Sequence, residues 1–129
     1  MDKKVSEQLS DFLKFIRDCN TDKKLYTEYV ETQDKKTQDI LHKIELNTLK
    51  RDEKTKIVTK LQDIRRTRRE FKDRIEVIDD ICKYFEDPAH ISMIRDLEQI
   101  LGKIRKIEER QGNKIYVPRV LTEEEDYYD

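Results

Sequence analysis

Residues 57–85 read IVTKLQDIRRTRREFKDRIEVIDDICKYF, and the spacing within them decides the fold. Ile57, Leu61, Ile64, Arg68, Phe71, Ile75, Ile78, Cys82 and Phe85 are separated alternately by four and by three residues. Heptads of that pattern predict a long helix with a coiled-coil-like seam. Pro88 ends it, because the residue before a proline avoids the α region.

Downstream, Ile94, Leu97, Leu101, Ile104 and Ile107 stripe a second helix from about 89 to 110, closed by the turn signal Gly112-Asn113. The short Asp87-Pro88 connection predicts that these two helices fold back on each other as an antiparallel hairpin. Upstream, Tyr26, Tyr29, Val30, Thr37, Ile40, Leu41 and Ile44 share one face of a helix over 25–46. Before it, Val5, Leu9, Phe12, Leu13 and Ile16 mark a short helix over 6–17. Asn20, Thr21 and Asp22 predict a break between the two, since such residues favour helix caps. After Asn113 the period changes to alternation. That predicts an extended arm over 113–121, with Pro118 confining it to an edge. The acidic tail TEEEDYYD, residues 122–129, is expected to be mobile.

The expected architecture is therefore one mainly all-α domain over 1–129. Residues 1–24 are a helical extension, 25–112 the helical core, and the arm and tail follow. Composition agrees. The 129 residues hold only two glycines and two prolines, too few for the turns of an all-β fold. Charged residues make up 44% of the chain, with 28 basic against 29 acidic, so the net charge is −1. Ile, Leu, Val and Phe still form about a quarter of the chain, above the ~20% below which chains tend to stay disordered. Long helices with narrow apolar seams and wide solvated faces fit this mixture, and such helices usually need partners, so an oligomer is expected. The sequence contains neither an apolar run long enough to span a membrane nor a signal-peptide pattern at its N-terminus. Cys19 and Cys82 sit in helical patterns and read as buried free thiols, which points to the cytoplasm.

Arg68 is the anomaly, a charge on an apolar seam. Such a charge is expensive unless paired. Snorkelling to solvent, a register-setting polar contact and an anion site between helices are the three readings. Around it, residues 65–74 (RRTRREFKDR) carry six positive and two negative charges in a chain of net −1. Arg65, Arg66, Arg69 and Lys72 fan around the helix, and arginine forks suit phosphates. Pairing with Glu70, Asp73 and Glu76, or docking of the acidic tail, would also use them. A pI near 6.2 and a single short patch argue against nucleic acid, and favour a small anion.

Chemistry of other kinds finds little support. Asp39 and His42 form one carboxylate–histidine pair, short of the set that a di-metal bundle site requires. No glycine-rich phosphate loop or nucleophile motif occurs. No cofactor, metal or catalytic residue is expected, and the chain does not read as an enzyme.

Three tracts carry a resemblance. TQDILHKIE (37–45), IRRTRREFKDRIE (64–76) and LGKIRKIEERQGNKIYVPRVL (101–121) occur in an order that resembles the anti-Thoeris family of phage "sponge" proteins. That resemblance implies a counter-defence protein acting in the host cytoplasm. It would bind a cyclic ADP-ribose isomer without cleaving it, and cyclic oligonucleotides at separate sites in some members. It implies homodimers or hexamers with ligand sites between protomers. By the same resemblance the ligand-binding candidates are Arg65, Arg68, Arg69 and Arg119, with Phe85 or Tyr116 stacking on the base. The alternative is a helical interaction module or inhibitor acting on a host protein.

Overall fold

A computed structural model describes residues 2–113, 115, 117–121, 123, 127 and 128 of the chain. The fold is all-helical: α1 (Val5–Leu46), α2 (Arg51–Tyr84) and α3 (Pro88–Gly112). Among the described residues none lies in a strand, and the described part of the expected arm is irregular.

α1 runs unbroken for 42 residues, through the expected break at Asn20-Thr21-Asp22. The cap-forming side chain at that point is turned to another use. Thr21 Oγ1 donates to the Arg17 carbonyl one turn back (3.2 Å), a bond compatible with the helix interior. Packing supplies the rest: Cys19 is 4% exposed, and Lys23 pairs with Asp79 of α2 at 2.8 Å. Tertiary contact thus overrides a weak local stop signal. Residues 5–24 and 25–46 belong to one element, and Leu13, in the first of these, is the most buried large side chain at 1% exposure.

α2 pairs with α1 in antiparallel sense. Arg68 meets Asp34, Phe71 meets Tyr29, Asp79 meets Lys23, and Cys82 meets Cys19, so numbers rise on one helix as they fall on the other. All nine seam residues read from 57–85 are buried or half-buried. The hairpin is therefore α1 with α2. The expected hairpin of α2 with α3 does not form, and those two helices scarcely touch. Instead α3 also packs antiparallel to α1, along its N-terminal third. Glu108 lies against Ser6, and Arg105 donates to Ser10. Leu101 is the buried centre of that contact, with Ile94, Leu97 and Ile104 half-buried beside it.

The two junctions are made by local chemistry. At the first, Asn47 closes α1: its backbone and side-chain amides both donate to the Lys43 carbonyl. At the second, Asp87 caps α3 by accepting from the Ala89 N–H at 2.9 Å, with Pro88 at the first helical position. The α1 N-terminus has no cap of its own. Glu108 of α3 supplies one, accepting the Ser6 N–H at 3.2 Å where the helix dipole favours an anion. Those hydrogen bonds from Ser6 hold the Glu108 carboxyl below its ordinary value.

Candidate functional site

Arg65, Arg68, Arg69 and Lys72 are spaced i, i+3, i+4 and i+7 on α2, which places them on one flank of the helix. Seam packing fixes that flank, since Ile64 and Phe71 point into α1. The four basic groups are not equivalent. Arg68, with its side chain 17% exposed, donates from Nε to Asp34 Oδ1 at 2.6 Å. It neither snorkels free nor waits for an anion: Asp34 of α1 answers it. Arg65 reaches toward the same oxygen from 4.0 Å, and Arg69 stands 4.0 Å from Asp73 on its own helix. Both are at least half exposed. Neither contact is short enough for a strong charge-assisted hydrogen bond, so among the described residues both guanidinium forks keep room for another oxyanion. The acidic tail, whose docking would also use them, lies largely outside those residues. Lys72 is exposed beside them.

The remaining candidates do not join this flank within one chain. Phe85 caps α2 and meets Tyr84 edge to face at 5.0 Å. Seventeen residues of helix separate it from Arg68, about 25 Å along the axis. It lines instead a groove of roughly 800 Å³ with Asn20, Lys23, Cys82 and Ile91. Arg119 is exposed in the segment after α3. Tyr116 lies outside the described residues. Asp39 and His42 are both exposed. Among the described residues no group of three or more His, Cys, Asp or Glu side chains stands together as a metal site. No described helix is long and apolar enough to cross a membrane.

A second cluster lies on the other flank of α2. The Phe71 ring packs on Tyr29 at 4.8 Å and on Tyr26 at 5.7 Å. Arg74 sits over the Phe71 and Tyr26 rings at 5.3 and 5.7 Å, a cation–π contact that keeps it engaged. The signal for this cluster was present in the sequence. Tyr26 and Tyr29 are one turn apart and Phe71 is on the seam, but the partner helix has to be known before they can be joined.

The two thiols also meet across α1 and α2. The Cys82 thiol donates to the Cys19 carbonyl at 3.4 Å, and burial pushes both thiols above their ordinary value. They are packing groups with little thiolate character. Comparison with protein-family models, curated proteins and solved structures finds no match to this chain.

Proposed function

We propose that the chain is a non-catalytic binding protein that sequesters a small anionic nucleotide on the arginine flank of α2. The observation that carries this reading is the open state of Arg65 and Arg69. Among the described residues, two guanidinium groups one helical turn apart come no nearer than 4.0 Å to a carboxylate, in a chain that has more carboxylates than bases. Pyrophosphate suits paired forks of this kind. The resemblance narrows the ligand to the cyclic ADP-ribose-isomer class, held intact. Arg68 becomes a positioning residue, tied to Asp34, that fixes how α2 presents its neighbours. The base-stacking aromatic and Arg119 would come from a second protomer, because Phe85 stands too far along the same helix. This makes the working form a homodimer or a larger homo-oligomer in the host cytoplasm.

A thermal-shift titration with cyclic ADP-ribose isomers and cyclic di- and trinucleotides tests the reading. Ligand at a thousandfold excess over Kd should stabilise the fold by about 4 kcal/mol. R65A/R69A should lose that shift while keeping the unliganded Tm, since both side chains are exposed. A wild-type protein indifferent to every nucleotide contradicts the proposal. It would favour the second reading, a helical module that docks on a host protein. That reading draws its support from the large apolar side chains exposed on the helices.

A further inference from the structure

Val5, Phe12, Cys19, Tyr26, Gln33 and Ile40 recur every seven residues along α1. From Cys19 onward the series is covered by α2: Cys19 is 4%, Gln33 9% and Ile40 9% exposed. Its first two members break the rule, Val5 at 61% and Phe12 at 44%, with Phe15 beside them at 52%. α2 has ended at Tyr84, level with the residues just before Cys19, so the face continues with no helix on it.

α3 repeats the pattern. Met93, Ile100 and Ile107 are also seven apart, and they are 39%, 44% and 43% exposed. Each stripe lies roughly a quarter-turn round its helix from the α1–α3 seam, in the same rotational sense along its own chain. In an antiparallel pair that places both stripes on the same side. By the register that Ser6–Glu108 and Ser10–Arg105 set, Phe12 lies within one turn of the level of Ile100, and Val5 within one turn of the level of Ile107. The N-terminal end of the molecule therefore presents two apolar ridges side by side, on a layer only two helices thick. A helix needs just one seam to pair with one partner. A seam plus an adjoining stripe is the pattern of a helix inside a bundle.

We infer that this face seats a second copy of the same chain, the α1–α3 ends of two protomers closing into a four-helix bundle. The occupant follows from the shape of the patch. It has two ridges of matched heptad spacing, so an identical patch related by a two-fold axis offers each ridge a ridge in return and leaves none uncovered. A single foreign helix or an extended segment would fill the groove between ridges and leave their outer sides wet. This interface stands apart from the arginine flank, though it supplies the second protomer that the nucleotide reading requires.

Light scattering on the full chain after size-exclusion chromatography tests it. The wild type should run at twice the 15.7 kDa chain mass at high micromolar concentration. F12E/I100E should run as a monomer with its helical circular dichroism retained. V58E/V77E, which changes valines 64% and 78% exposed on α2, should remain a dimer. Should F12E/I100E unfold, I107K near the end of α3 carries the same expectation. A wild type of single-chain mass, or an F12E/I100E protein that still dimerises, overturns the inference. A dimer that ignores nucleotides overturns only the ligand reading. A monomer that binds them overturns the interface and the two-protomer form of the ligand site, and leaves the ligand class standing.

Discussion

At the scale of single residues, charge placement has two distinct consequences. Arg68 and Asp34 form the polar layer of the α1–α2 seam beside Gln33, which is 9% exposed. Asp34 is 46% exposed, so the pair is screened. Asp34→Asn should cost no more than about 1 kcal/mol in urea denaturation. Arg68→Leu, which puts an apolar group on an apolar seam, should be neutral or stabilising. A large loss from R68L would mean that the pair does more than fix register. Acid gives the second test. Hydrogen bonds from Lys23 and Lys83 hold the Asp79 carboxyl down, and those from Ser6 hold Glu108 down. A carboxyl depressed in the folded state contributes stability that is present above its unfolded value. That stability is lost as pH falls through the folded one. Tm should therefore drop as pH falls below the ordinary carboxylate range, and E108Q and D79N should each flatten that drop. Curves parallel to the wild type would contradict it. Arg68 was legible as an anomaly from its heptad position alone. Its partner was not, because Asp34 lies in a polar stretch of α1 whose inward face emerges only once α2 is laid against it.

At the scale of elements, α2 was readable because its seam repeats without interruption and Pro88 punctuates its end. α1 reads in sequence as two helices and is one. The heptad series through Val5, Phe12, Cys19 and Tyr26 crosses the supposed break, but Asn20, Thr21 and Asp22 are local stop residues, and the long-range contact of Cys19 with Cys82 is invisible in one dimension. Continuity has a direct test. Thr21→Pro should cost about 3 kcal/mol or more if residue 21 is helix interior, and almost nothing if it lies in a loop. Leu13→Ala should likewise cost about 2–5 kcal/mol, because its side chain is enclosed between α1 and α3. A residue in a dispensable extension would show a small fraction of that. The pairing of helices was the least legible feature. A short connection implies a hairpin, yet Asp87 and Pro88 launch α3 along α1, where Leu101 finds Leu13's neighbourhood and Glu108 finds the bare α1 N-terminus.

At the scale of the whole molecule, the chain is a spine, α1, with two shorter helices laid antiparallel along it end to end. Each cross-section holds little more than two helices, and among the described residues seven apolar side chains are buried. Such a thin core leaves the protein dependent on what covers it, whether a second copy at the α1–α3 end or an anion on the α2 flank. The arginine patch was legible from composition, since net +4 over ten residues stands out against a net charge of −1. Which of its members stay open was not legible, because that depends on Asp34 and Asp73. The most direct measurement is a thermal-shift titration of the purified protein with a cyclic ADP-ribose isomer, followed by heat denaturation and mass analysis of what is released. The account predicts a rise of many degrees that R65A/R69A abolishes, with the ligand recovered at its original mass. Recovery of a cleaved product would contradict a binding protein, and the absence of any shift would contradict a nucleotide ligand.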